Sequence, residues 1–541
     1  MSTLLRAGAI MAVGTMASRV SGFVRTIVLA AAIGVGALSD AYTTAYIIPF
    51  ILFDLLLNGI LSSVVVPMVV RAQKRDPDGG RAYEQRLLTL VTLILITVSV
   101  LGVLAAGPLI DLYGQAWTSL ERDVATTLAR FILPQIAFFG VGALAGAFLN
   151  TRERFGAPVW APVLNNVVVI GVAVTYLLVS EGGTDIAAVT PGDLRLLGIG
   201  TTAGIVLQAV ALVISLHRVG FRFRPRFDFH NARLGEMGRT AVWTFAYVVI
   251  VQAGFMVVAN VGNAAGAAAR KSAVGHEAGF SIYNYSYQLF QFPYALIAVS
   301  VITALLPRMS ALAADGRLDS VREEFSSGLR LVCAAIVPAG MLLLVLGAAI
   351  TVPLYHRGGT SLNDAIYMGN VLQVFGLALV PFSIFQMLLR IFYALGDTRT
   401  PALIAVANVA VLGGLGLIAY EVLPPGMVVM GIALAFALSY VCGTGCAWFL
   451  LSRRLGGLDG WRFTSVLAKQ HVAAVPAVLI AFIALWIADA TVGLNLVSSI
   501  LVLVVGGGLG GLAYLGTAHR MRIPEVSSIV GMVAARLRPG A

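Results

Sequence analysis

The sequence predicts an all-α polytopic membrane protein. It has fourteen transmembrane helices in two six-helix lobes, related by a pseudo-twofold axis along the membrane normal, plus two C-terminal helices. Three observations predict it. Of the 541 residues, 59% are hydrophobic and only 11% charged, whereas soluble domains are roughly 25% charged. Apolar stretches recur along the chain, each with the roughly 20 residues that cross a hydrocarbon core of about 30 Å. With the N-terminus placed inside, 28 lysines and arginines fall in inner segments, 6 in outer ones and two within the first span. Basic loops stay in the cytoplasm, so both termini are assigned there, and the span number is even.

Span 1 covers 8–33; its length and internal arginines argue against a cleaved signal peptide. Span 2 (38–70) is long enough to tilt. Spans 3 (87–110), 4 (126–150), 5 (158–180) and 6 (197–217), with the arginine-rich stretch 218–239, complete an N-lobe over 1–239. Spans 7 (240–264), 8 (280–307), 9 (329–354), 10 (366–392), 11 (400–423) and 12 (428–452) form a C-lobe over 240–453. Spans 13 (468–490) and 14 (495–517) and a basic tail occupy 454–541. The polar stretches 71–86, 181–196, 218–239 and 308–328 are too short for a soluble domain.

The two-lobe reading rests on a repeat. Phe148, Pro158 and Asn166 are echoed by Phe392, Pro401 and Asn408, an offset of about 243 residues or six spans. An even offset gives both copies one orientation, a known transporter plan.

Several function classes drop out. The net charge of +11 follows from topology and implies no nucleic-acid partner. Cys333, Cys442 and Cys446 lie in apolar spans, so neither a disulfide framework nor a metal site is expected. No catalytic constellation, nucleotide loop or cofactor motif is present. The expectation is a non-enzyme, driven by an ion gradient, the membrane potential or the substrate's own gradient.

Arg19 and Arg25 lie inside span 1. A guanidinium near a helix centre costs at least roughly 2.5–3.5 kcal/mol, so it faces a cavity or a partner. Snorkelling to an interface is the alternative, more open to Arg19 than to the deeper Arg25. Asp40 opens span 2, to pair with an arginine or to sit at the water interface. Asp54 and Asn58 are four residues apart on one face of that span, and Asp54 suits an ion-pair partner or a proton-coupling group. In span 8, Tyr283-Asn-Tyr-Ser-Tyr-Gln288 offers uncharged hydrogen-bonding groups to a sugar or peptide, or else anchors at the outer interface.

Ser18-Arg-Val-Ser-Gly-Phe-Val-Arg25, Ser39-Asp-Ala-Tyr42, Ile48-Pro49, Val66-Pro67 and Tyr393-Ala-Leu-Gly-Asp-Thr-Arg-Thr-Pro401 together resemble the MurJ (MviN) family, lipid II flippases of the MOP transporter superfamily. The resemblance runs over the whole chain. It implies that Arg19 and Arg25 match the span-1 arginines lining a central cavity and engaging a substrate diphosphate, and that Asp40 matches an acidic residue opening span 2. This sequence departs where many relatives carry an arginine pair and a glutamate in span 2; here stand Phe53, Asp54 and Asn58. It departs again in span 8, where Tyr287-Gln288 replaces Asp-Arg. Span 7 lacks the acid that some relatives use for sodium, and Leu412 stands where span 11 would supply another. Actinobacterial relatives often continue into further domains, and this sequence is expected to carry none.

The resulting expectation is export of lipid II from the inner to the outer leaflet, with Arg19, Arg25, Asp40, Asp54, Asn58 and Gln288 as substrate-binding residues. Expected partners are the bilayer and cell-wall synthesis proteins. The alternatives are another exporter of the superfamily, for lipid-linked oligosaccharides or drugs, and a membrane scaffold for cell-wall enzymes.

Overall fold

The computed structural model describes residues 2–55, 66–75, 77–228 and 238–527. They divide into two compact units, 1–267 and 268–541. Among the described residues, thirteen helices are long and apolar enough to cross a membrane, and Ala37–Phe53 is a shorter apolar one. Together these match the fourteen expected spans one for one.

The first unit contains α1 (Ser2–Ile33), α2 (Ala37–Phe53), α3 (Val66–Arg75), α4 (Arg81–Leu104), α5 (Ala106–Tyr113), α6 (Ser119–Ile132), α7 (Gln135–Asn150), α8 (Gly156–Val179), α9 (Pro191–Arg218) and most of α10 (Gly238–Lys271). The fourth span is broken at Leu133-Pro134 into α6 and α7. A proline has no amide to donate and its ring crowds the preceding turn, so it interrupts the ladder. In the first unit α2 packs on α6, α4 on α7, α7 on α9, α8 on α9, and α1 on α8. The last seam is made by small residues. A Cβ on Gly14 would strike Trp160, and Gly22 faces the Asn166 amide.

The second unit holds α11 (Phe280–Ala314), α12 (Leu318–Tyr355), α13 (Leu362–Ala394), α14 (Arg399–Val422), α15 (Val428–Leu455), α16 (Gly460–Val492), α17 (Leu496–Val502), a π-helical turn over Leu503–Leu509, and α18 (Gly510–Arg520). The stretch 308–328, read from its polarity as a loop, is helix except for 315–317. Its charges ride on ends of α11 and α12 that outrun the apolar stretches. Gly347 and Gly369 bring α12 and α13 so close that a Cβ on either would lie within 2.5 Å of the other helix's backbone. Small residues allow such approach where lipid supplies no hydrophobic drive.

The internal repeat is visible in the contacts inside each unit. The pairings α2–α6, α4–α7, α7–α9 and α8–α9 recur as α11–α13, α12–α13, α13–α15 and α14–α15. Capping boxes recur too. Thr118 caps the amide of Glu121 at the start of α6, and Ser361 caps that of Asp364 at the start of α13, an offset of 243 residues. Each box satisfies helix-end amides that would otherwise lack partners. The same offset links Asn165, in contact with Gly204, to Asn408, in contact with Gly443. Asn165, rather than the Asn166 read from the sequence, is therefore the repeat partner of Asn408; Asn166 instead donates to Ser18 O and Ser21 Oγ of α1.

Candidate functional site

The site is built from α1, α2 and α10 of the first unit. Ser18, Ser21, Gly22 and Arg25 are spaced three, four and seven apart, so they share one side of α1. The first three meet Asn166 of α8. One turn on, Arg25 is half-buried and its Nη1 donates to the Tyr46 hydroxyl of α2 at 3.3 Å. Its guanidinium carbon lies 5.6 Å from the centre of the same ring. Arg19, about 120° away around the axis, is exposed.

α2 starts after Gly34, whose φ of +67° lies in the left-handed region that favours a residue without a Cβ. Asp40, in its first turn, is wholly buried. Acid at a helix N-terminus is favoured by the positive end of the dipole. Tyr42 shares a 2.8 Å hydrogen bond with Thr201 of α9 and stacks on Tyr46. At the other end of α2, Asp54 accepts a hydrogen bond from Gln252 of α10 at 2.8 Å. Asn263 of α10 is fully buried and donates to Thr44 Oγ1 at 3.1 Å and to the Tyr113 carbonyl at 2.9 Å. The structure thus joins Arg25 to α2 and Asp54 to α10.

In the second unit Gln288 donates to Asn284 Oδ1 at 2.7 Å, one turn back on α11. The rings of Tyr283, which is buried, and Tyr287, which is half-buried, pack with Phe290, Phe375 and Phe436 in an aromatic cluster. Asn58 lies outside the described residues. Tyr46, Gln252 and Asn263 were missed by sequence reasoning. Gln252 and Asn263 had a signal, since each is an isolated amide in an apolar run. Tyr46 had none that separated it from an interfacial anchor.

Thirteen lipid-length helices among the described residues, with a wholly buried carboxylate and a half-buried guanidinium, define a multi-pass membrane protein. The chain belongs to the family described as "Lipid II flippase MurJ", whose model matches residues 29–506. The match begins after Arg19 and Arg25, which therefore stand outside it. A "Probable lipid II flippase MurJ" of Rhizobium meliloti is 29% identical over 78% of this chain and 75% of its own length. A protein of the same description from Synechocystis is 28% identical over 85% of this chain and 84% of its own. A "Lipid II flippase MurJ" of Burkholderia cenocepacia is 27% identical over 72% and 73%. Among solved structures, a lipid II flippase MurJ in an inward closed conformation matches with a TM-score of 0.74 at 20% identity, over 95% of this chain and 98% of that one. An inward-facing multidrug MATE transporter of the MOP superfamily matches with a TM-score of 0.62 at 12% identity, over 85% and 98%. At these identities the structures speak for the fold alone.

Proposed function

We propose that the chain moves lipid II from the inner to the outer leaflet of the plasma membrane by alternating access, with both termini in the cytoplasm. Arg25 carries the proposal: a guanidinium inside a span, held against Tyr46 yet only half-buried. Guanidinium–phosphate contacts are charge-assisted and bidentate, among the stronger hydrogen bonds available. In this reading Arg25 and Arg19 attract the diphosphate, Gln288 offers amide hydrogen bonds to the head group, and Asp40 and Asp54 tune the charge of the path. The polyprenyl tail stays in lipid. The membrane potential supplies drive, worth about 2.3 kcal/mol per charge per 100 mV.

The test is made in cells. The protein is depleted, and outer-face lipid II is probed with an added enzyme that does not cross the membrane. Loss of the outer signal with a rise in total lipid II, restored by wild type and not by Arg25→Ala, is the expected result. An unchanged outer pool, in cells without a second flippase, overturns the proposal and leaves a scaffold or another substrate.

A further inference from the structure

A second cationic site lies in the first unit, away from α1. It starts where α9 stops. Gly220, at a φ of +87°, ends the helix, with its amide on the His217 carbonyl and that of Phe221 on the Leu216 carbonyl. This turn sends residues 221–228 back along α4 as an irregular strap. Four contacts pin the strap. Gln85 Nε2 donates to the Arg222 carbonyl at 3.1 Å, the Arg226 amide donates to Thr89 Oγ1 at 3.1 Å, and Arg226 Nε donates to Gln85 Oε1 at 3.1 Å. Arg86 closes on Asp228 at 2.5 Å. Phe221 is buried against Phe148, with the Arg152 guanidinium 5.7 Å from its ring.

Strap and helix enclose a cavity of about 490 Å³. Arginines at every second strap position, Arg222, Arg224 and Arg226, line it together with Arg81 and Arg152. The one acid in its wall, Asp78, is occupied by the amides of Gly80 and Ala82. Arg152 is neutralised by Glu84. The guanidiniums of Arg81, Arg222 and Arg224 make no hydrogen bond or ion pair among the described residues. A concave surface of one sign focuses its field on counter-ions, and the planar guanidinium fork fits phosphate oxygens. The volume is within the range of ligand pockets, roughly 300–1,000 Å³.

We propose that this cavity binds a phosphoryl-bearing anion, held between the N-terminal end of α4 and the strap by Arg81, Arg222 and Arg224. The source is either a soluble di- or polyphosphate or a lipid head-group phosphate. The site is read from the cavity alone; only its cytoplasmic supply rests on the orientation proposed above.

The full chain is purified into phosphatidylcholine nanodiscs and titrated calorimetrically with inorganic pyrophosphate. Arg19→Ala/Arg25→Ala is the background, so that pyrophosphate binding by the α1 arginines is removed. Saturable binding is expected, weakened tenfold or more by Arg222→Ala with Arg224→Ala. The Arg222→Lys/Arg224→Lys protein keeps the charge and loses the forks, and is expected to be intermediate. In a second arm, nanodiscs containing phosphatidylglycerol are analysed for lipid retained by the protein. No pyrophosphate binding, with phosphatidylglycerol retention halved or more by the double alanine substitution, assigns the site to a head group and supports the proposal. Alanine variants that match the background in both arms, with unchanged melting temperature, overturn it. Transport is not read in either arm, so the flippase proposal stands or falls separately.

Discussion

Arg25 donates to the Tyr46 hydroxyl at 3.3 Å, with its guanidinium carbon 5.6 Å from that ring's centre. The contact sets the cation's direction from two sides. The hydroxyl accepts one N–H, and the ring attracts the charge through its quadrupole, worth about 0.5–2 kcal/mol depending on desolvation.

Arg25→Ala is therefore expected to lower outer-face lipid II delivery tenfold or more, since hydrogen bonds to charged groups contribute about 1.5–3 kcal/mol. Arg25→Lys keeps the charge without the fork and should retain part of the activity. Tyr46→Phe keeps the ring and should cost only a few-fold. Full delivery by Arg25→Ala, read with the added-enzyme assay, would remove this residue from the transport path.

Glu84 is an independent structural test. Its carboxylate is fully buried at the start of α4, 2.5 Å from Arg152 and 2.7 Å from Gln73. Removing one partner of a buried ion pair costs about 3–5 kcal/mol, because the other is left unpaired. Arg152→Ala should lower the melting temperature in detergent by several degrees, more than Glu84→Gln, which keeps hydrogen-bonding atoms in place. Equal melting temperatures for all three proteins would show that the pair contributes nothing net.

The spans were legible because length and hydropathy alone decide whether a segment crosses a bilayer. The Leu133-Pro134 break was not read, since a proline in a transmembrane helix kinks it in some settings and ends it in others. Phe148, Pro158 and their partners marked the repeat, but the choice between Asn165 and Asn166 turned on which amide meets a glycine of α9, as Asn408 meets one of α15, and which meets a glycine of α1. Adjacent residues differ by about 100° on the helix, and local sequence does not show which direction is inward. The site followed the same division. Arg25 and Asp54 stood out as charges in apolar runs, whereas Tyr46 and Gln252 became their partners only through tertiary packing. The basic stretch 218–239 reads from sequence as topology or as a scaffold's recruiting loop; its arginine at every second strap position was the unused signal.

The asparagine–glycine contacts predict unequal tolerance in the two units. A Cβ on Gly204 would sit 2.4 Å from Asn165 Oδ1 and 3.1 Å from its backbone oxygen; on Gly443 it would sit 3.2 Å from Asn408 Oδ1. Overpacking of this kind costs about 1–3 kcal/mol. Gly204→Ala should lower the melting temperature more than Gly443→Ala. Adding Asn165→Ala should restore part of the loss and leave the part due to the backbone oxygen. A Gly204→Ala protein as stable as wild type would mean that α8 and α9 separate freely at this seam.

Asp397 gives the pH dependence its sign. The residue lies in the turn between α13 and α14. Burial raises its carboxyl, but the Thr400 amide and hydroxyl and the Arg454 guanidinium outweigh burial and hold it below the ordinary 3.8. A carboxyl depressed in the folded state adds stability that is fully present above its unfolded value and is lost as pH falls through the folded one. The melting-temperature gap between wild type and Asp397→Asn should therefore be constant from about pH 8 to about pH 5 and close as the medium is acidified below 3.8. Arg454→Gln should remove part of that acid sensitivity and leave the share due to Thr400, whose amide and hydroxyl still donate to the carboxylate at 3.0 and 2.7 Å. A gap that stays the same at about pH 3 and at neutrality would mean that the carboxylate's charge has no part in holding this turn to α15.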